Sequence, residues 1–183
     1  MVLSSGSPQR RAILEQLGVD FRVEVPEVEE LTEGEPRELV RENALRKARA
    51  VAADERVLGA DTAVVLGERV LGKPADRSEA EAFLHALNGS THEVMTGIAV
   101  VEGGAERSDV AVTRVRFRAL APAEVEWYLA TSEWRDRAGG YAIQGRGAAL
   151  VESIEGDYFN VVGLPVAALL GLMPELLGSR RQQ

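Results

Sequence analysis

The sequence predicts an α/β fold with a mixed central sheet flanked by helices, and three observations carry that reading. Strand-like runs alternate with helix-like runs along the chain. The hairpin signals demand antiparallel neighbours, whereas helical crossovers favour parallel ones, so both pairings are expected in one sheet. With 183 residues, of which 45% are hydrophobic and 27% charged, the chain has the composition of a folded protein rather than a disordered one. That length suits one large domain or two small lobes, and residues 1–183 are read as a single domain.

The elements follow in order. Val2 to Ser4 reads as a short strand, and Ser7-Pro8 supplies an N-cap and a proline at the first helical position, opening a helix that ends near Leu17-Gly18. Residues 21–25 read as a strand. An acidic loop over 27–35 precedes Pro36, which opens a helix to about residue 53. Residues 57–66 and 69–71 flank Gly67-Glu68 as a hairpin. Residues 78–87 are helical, 93–101 and 108–117 form two long paired strands, and 122–130 form a further helix. A glycine-rich stretch then leads to strands around 148–153 and 159–162, and a helix over 165–177 closes the pattern.

Charge and composition exclude several classes of function. The 29 acidic and 21 basic residues give a net charge of −8, which argues against generic binding to a nucleic-acid polymer or an anionic membrane. There is no cysteine, which removes disulfides and thiolate metal sites, and two histidines are too few for a histidine-built zinc centre. Any metal would be held by oxygens. The amino end has no basic region followed by an apolar stretch, and the apolar run over 161–173 falls short of the ~20 residues of a membrane span. A cytoplasmic protein is expected.

Several residues stand out as carriers of chemistry. Gly67-x-x-x-x-Gly72-Lys73-Pro74 mimics a nucleotide-binding P-loop, but Pro74 offers no hydroxyl for a metal and no helix start at the lysine. The 21 basic residues include only two lysines, Lys47 and Lys73, so a compact ammonium is retained where arginine is the default cation. On the helical wheel Val40, Ala44, Ala48 and Val51 form an apolar arc, with Lys47 beside it and Asn43 on its edge. Lys47 therefore either snorkels or meets a buried anion. Asp61 sits inside an apolar strand and needs a partner, a metal or a capping duty near Gly59. Ser4-Ser5-Gly6-Ser7-Pro8-Gln9-Arg10 is either an ordinary capped helix start or an anion site built from backbone N–H groups, with Arg10 projecting inward. The turn around Gly139-Gly140 and Gly145 carries Gln144, whose amide can read a base edge. The glutamates from 24 to 35 read for the most part as a solvated loop.

These blocks together resemble the Maf family of nucleoside triphosphate pyrophosphatases, which is also linked to septum formation. The matching segments are Ser5-Gly6-Ser7-Pro8 with Arg10, Asn43-Ala44-x-x-Lys47-Ala48, Gly59-Ala60-Asp61-Thr62 and Leu71-Gly72-Lys73-Pro74. They continue with Thr91-His92-x-Val94-x-Thr96, Ala138-Gly139-x-Tyr141-x-Ile143-Gln144-Gly145 and the segment from Gly156 to Pro165. The resemblance implies a fold like that of the inosine triphosphate pyrophosphatases, with two lobes around a cleft. It implies divalent-metal-dependent cleavage between the α and β phosphates, with Mg or Mn as the ion. Asp61 matches the family's proton acceptor, and Ser5, Arg10, Glu30, Lys47, Lys73 and Gln144 match other site positions. On this basis Asp61, Lys47 and Lys73 are assigned to catalysis, Ser5, Gln9, Arg10, Thr62 and Gln144 to substrate binding, and Glu30 with Asp61 to the metal.

Two departures bear on substrate choice: Gln9 replaces the first arginine of the usual Ser-Pro-Arg-Arg, and Arg137 replaces a frequent lysine. The branch acting on dTTP and UTP resembles Arg, Thr and Gln at the positions of Gln9, Thr62 and Gln144, so two of the three point to pyrimidines. The partner expected is a nucleoside triphosphate, with no nucleic-acid polymer and no membrane, and a homodimer is left open. The alternatives are a 7-methyl-GTP-preferring pyrophosphatase, a non-catalytic nucleotide-responsive regulator of septum formation, and the P-loop enzyme that Pro74 disfavours.

Overall fold

The computed structural model describes residues 1–178, so residues 179–183 of the expected single domain lie outside the described part. Seven strands join in the order β2-β1-β3-β5-β6-β7, with β4 pairing to β3, and parallel and antiparallel neighbours coexist as the sequence predicts. They are β1 (Val2–Ser4), β2 (Arg22–Val23), β3 (Val57–Leu66), β4 (Arg69–Leu71), β5 (Thr91–Glu102), β6 (Ala105–Phe117) and β7 (Val151–Glu155). The helices are α1 (Pro8–Gln16), α2 (Pro36–Arg49), α3 (Arg77–Leu87), α4 (Pro122–Ala130), α5 (Tyr158–Val162) and α6 (Val166–Leu172). The chain divides into two compact units, each with its own core. The first comprises Met1–Asp61, Thr96–Ala111 and the chain from Gly163, and the second comprises Thr62–Met95 and Val112–Val162.

In the first unit β1 runs parallel to β2 and to β3, with Leu3 opposite Leu58 and Ser4 opposite Gly59. Glu35 caps α2 by accepting the N–H groups of Arg37 and Glu38, and Pro36 takes the first helical position, where no intrahelical donor is needed. The inner face of α2 buries Ala44, Leu45 and Ala48 with Val2, Val57 and Ala99. Two glycines allow this packing. A Cβ at Gly59 would collide with the backbone of Ala44 and Ala48, and one at Gly97 with that of Val40 and Arg41. The helix ends at Arg49 rather than near residue 53, and Val51, beyond its last turn, is buried in the same core. The β5–β6 connection is tight because Gly103 and Gly104 both take positive φ. The strand expected at 21–25 pairs only at Arg22–Val23, after which the chain leaves as the acidic loop.

The second unit is built around the β3–β4 hairpin, which turns at Gly67 with φ 62°. Asp76 caps α3 by accepting the N–H of Glu79, while Glu79 accepts that of Ala75. Ala80, Phe83, Leu84 and Leu87 of α3 pack with Val125, Tyr128 and Leu129 of α4 in one core. His92, Phe117 and Tyr141 meet edge to face within it, with ring centroids 4.8–5.5 Å apart.

Three expectations along the carboxyl-terminal third are corrected. The strand placed at 148–153 is β7, shifted to Val151–Glu155, because residues 146–150 wind into a 3-10 turn whose Leu150 enters the core. The segment 159–162, expected as a strand, is helix α5. The Asp157 carboxylate accepts the Phe159 N–H at 2.8 Å and starts the helix, while the buried Asn160 donates to Val94 O and Thr113 Oγ1. A four-residue segment with three apolar residues does not by itself distinguish strand from helix. The helix expected over 165–177 is divided into α6 and a 3-10 turn at Pro174–Leu177, since Pro174 lacks an N–H and disfavours a helical conformation at Met173, which has φ −135° and ψ 72°.

His92 yields a pH test of this core. Burial lowers its pKa from 6.5 to about 4, with Nε2 held 2.8 Å from the Tyr141 hydroxyl and Nδ1 without a partner among the described residues. The native state favours the neutral ring, so the unfolded chain binds the extra proton between these two values. The stabilisation is complete above pH 6.5 and is lost as pH falls toward 4, a change of roughly 3 kcal/mol. Urea titrations should show the wild type losing about that much more stability across this interval than His92→Gln. Equal losses in both proteins would contradict the assignment.

Candidate functional site

The close approach of α2 to β3 brings a charged cluster together in the first unit. Lys47 leaves α2 one residue before Ala48, whose backbone rests on Gly59, and Asp61 follows Gly59 by two residues on the same face of β3. The Lys47 ammonium lies 2.7 Å from Asp61 Oδ1 and 2.8 Å from Glu30 Oε1. The two halves of the first pair are largely enclosed, with side chains 15% and 13% exposed, whereas that of Glu30 is 44% exposed. Lys47 thus meets an anion rather than snorkelling. Gly59 sits in register opposite Ser4, so Asp61 has an ion-pair duty rather than a capping one.

Asn43, one helical turn before Lys47, organises the cluster. It is 1% exposed, and its amide donates to Asp61 Oδ2 at 3.2 Å and to Leu31 O at 3.0 Å, while its oxygen accepts the Leu31 N–H at 2.7 Å. One side chain therefore fastens the loop carrying Glu30 and steadies the outer oxygen of Asp61. The sequence placed Asn43 on the edge of the apolar arc without a role. The signal was present: a buried amide one turn from a retained lysine needs polar partners.

Arg10 projects inward from the first turn of α1, as expected, and is 8% exposed. Its Nε donates to Gly163 O at 2.8 Å, and its Nη1 donates to Ser5 Oγ at 2.8 Å and to Ala60 O at 2.9 Å. Burial lowers its pKa, while the negative fields of Asp61 and Glu30 raise it. Ser5 also accepts the Ser7 N–H at 3.3 Å. Gln9 Oε1 accepts the Ser7 hydroxyl at 3.2 Å. Ser5, Arg10, Glu30, Lys47 and Asp61 all belong to the first unit, as does Gln9.

Lys73, Thr62 and Gln144 belong to the second unit. Thr62 is half-buried on β3 and follows Asp61 directly. Lys73 is exposed and makes no ion pair among the described residues, but its backbone is braced on both sides. Gly139 donates its N–H to Gly72 O at 2.9 Å, and buried Pro74 packs near Gly140. Gly139 has φ 68°, and any Cβ there would press on Val64, so glycine is required twice over. The P-loop mimic is a hairpin followed by a loop, with α3 beginning only at Arg77. Gln144 is exposed in the turn between Ala142 and Gly145.

Among the described residues no group of three or more His, Asp or Glu side chains converges as a metal-ligand set, and no helix is long and apolar enough to cross a membrane. The profile of the family described as Maf-like protein matches residues 1–176. The chain belongs to the Maf-like protein family. It is 52% identical over 171 residues to a protein of Symbiobacterium thermophilum named dTTP/UTP pyrophosphatase, covering 91% of this chain and 88% of that protein. Relatives with the same name occur in Deinococcus radiodurans, 49% identical with 94% and 91% covered, and in Pyrococcus furiosus, 44% identical with 94% and 93% covered.

The packing of this Maf-like chain at Gly59 is directly testable. Gly59→Ala forces a methyl group against the α2 backbone, which has no rotamer to retreat into, and should cost about 1–3 kcal/mol. Denaturant unfolding measures the loss, and an unchanged midpoint would refute the close approach.

Proposed function

We propose that this protein is a nucleoside triphosphate pyrophosphatase acting on dTTP and UTP. Water attacks a triphosphate whose α–β bond breaks, giving nucleoside monophosphate and pyrophosphate. The observation that carries the reading is the pairing of one ammonium with two carboxylates, Glu30 and Asp61, in a chain about half identical to proteins named for that activity. Residues 1–183 act as one functional domain in this reading, in the cytoplasm, and the cellular use is removal of surplus or altered nucleotides. A link to septum formation follows from the family resemblance and would act through those nucleotide pools.

The donor chemistry fits a divalent cation such as Mg²⁺ or Mn²⁺. Glu30 and Asp61 offer hard carboxylate oxygens beside Lys47, and the chain has no cysteine to offer a thiolate instead. One or two carboxylates completed by substrate phosphates and water is the usual way a protein holds Mg²⁺. When bound, the ion supplies charge neutralisation on the phosphate oxygens.

Asp61 is the proton acceptor. Lys47 and Asn43 each occupy one of its oxygens, which fixes the carboxylate plane and leaves lone pairs for a water proton. Lys47 holds Asp61 and Glu30 in place and adds positive charge, and Lys73 adds a second ammonium toward the leaving pyrophosphate. Ser5, Gln9 and the N–H groups at the start of α1 contribute to binding, and Arg10 holds Ser5 while adding its field. Thr62 and Gln144 contribute to recognition of the base. The Gln144 amide can donate and accept at once, which matches the carbonyl and N–H edge of uracil or thymine. Gln9, without the rigid fork of arginine, loosens discrimination.

Asp61→Asn preserves shape but cannot take a proton, so turnover should fall at least ~100-fold with folding intact. Near-wild-type pyrophosphate release by the folded variant would sink the assignment. Lys73→Ala should weaken turnover more than binding of the monophosphate product, with only partial rescue by Lys73→Arg. A panel of triphosphates assayed with and without Mg²⁺ should give the highest kcat/KM for dTTP and UTP, by a margin of ~1–3 kcal/mol. A higher kcat/KM for 7-methyl-GTP, with UTP and dTTP barely reacting, would transfer the protein to the other branch.

A further inference from the structure

We propose that Glu133 is a positioning residue for base recognition, holding the turn that presents Gln144; the inference rests on the reading of Gln144 given above. The turn is pinned at both ends within the second unit. At its start the Ala142 N–H donates to the Tyr128 hydroxyl at 3.0 Å, and Ile143 packs against the core. At its end the Arg146 N–H donates to Glu133 Oε2 at 2.7 Å. Between them Gly145 N–H closes on Ala142 O at 3.1 Å. Gln144 thus projects from a short arch whose feet are a buried phenol and a carboxylate.

Gly145 reveals how closely that carboxylate approaches. Its φ of −104° is not in the left-handed region, although its ψ of −145° lies outside the broad β region, so glycine eases the backbone as well as leaving space. A Cβ at this position would land on the carboxylate of Glu133, with Cδ only 2.8 Å away. The missing side chain is therefore the space in which Glu133 accepts the Arg146 N–H. Glu133 is itself placed by a constrained corner. Ser132 adopts φ 61°, the Glu133 N–H donates to Thr131 Oγ1 at 3.1 Å, and the neighbouring Trp134 indole N–H donates to Leu129 O at 3.1 Å. A charged acceptor on a backbone N–H makes a stronger tie than a neutral one, and truncating it frees one foot of the arch.

Gln144→Ala, Glu133→Ala, Glu133→Gln, Gly145→Ala and the double variant Glu133→Ala/Gly145→Ala test this, with kcat and KM measured on UTP and CTP. CTP presents an amino group where UTP presents a carbonyl. Gln144→Ala should reduce the UTP over CTP preference by about tenfold. Glu133→Ala should reduce it by about fivefold, mostly through a higher KM for UTP, and Glu133→Gln, which keeps an acceptor oxygen, should recover most of it. Gly145→Ala, by evicting the carboxylate, should copy Glu133→Ala, and the double variant should be no worse than either single one. Hydrogen exchange at the Arg146 amide should accelerate in Glu133→Ala and Gly145→Ala. A wild-type preference in both of these with slow Arg146 exchange, alongside a collapse in Gln144→Ala, would overturn the role of Glu133 and spare that of Gln144. An unchanged preference in Gln144→Ala would overturn both.

Discussion

Two carboxylates from separate stretches of chain converge on one ammonium, and the first unit is organised around satisfying that arrangement. A carboxylate in an apolar strand is costly unless it is paired and its remaining oxygen hydrogen-bonded. Asp61 meets both conditions, through Lys47 on Oδ1 and Asn43 on Oδ2. Those two donors sit one turn apart on α2, so the helix must lie close to β3 and in a fixed register. Gly59 and Gly97 provide that closeness by withholding a Cβ where the helix backbone passes. The glycines, the helix and the ion pair are one device rather than three features.

Arg10 performs a complementary task. Its Nε and Nη1 join Ser5, Ala60 and Gly163, residues far apart in sequence, and Ala60 immediately precedes Asp61. These nitrogens are committed to protein acceptors, so Arg10 acts on its surroundings through its charge and through the seat it makes for Ser5. Buried guanidinium groups hold geometry well because their donors are planar and fixed. By contrast the exposed arginines pair with glutamates at the surface, as in Arg11–Glu15 or Arg116–Glu152, where each pair contributes little to stability.

Much of this was legible in the sequence where local chemistry decides. Ser7-Pro8, Pro36 and the Gly67-Glu68 turn place element boundaries, since capping and turn geometry depend on residues next to one another. The pairing of Lys47 with Asp61 was legible as a need, from a lysine near an apolar arc and an aspartate within an apolar strand. Its geometry was not. Residues 159–162 misled because so short a segment, apolar but for Asn160, fits either period, and the decision came from Asp157 and Asn160 reaching their partners. The partners of Asn43 and Glu133 stayed hidden because the Leu31 backbone, the Asp61 carboxylate and the Arg146 N–H lie at separations that no spacing rule reveals. Gly145 was visible as a glycine but not as the neighbour of a carboxylate.

The near absence of lysine sharpens the chemical argument. Lys47 must meet Asp61 and Glu30 at once, at 2.7 and 2.8 Å, from a helix position already fixed by the packing at Gly59. A tetrahedral ammonium can aim separate hydrogens at two carboxylates on different sides. A planar guanidinium would favour one of them bidentately. An arginine there would hold Asp61 tightly and leave Glu30 without its anchor. The compact charge is thus what allows both carboxylates to stand together on one cation.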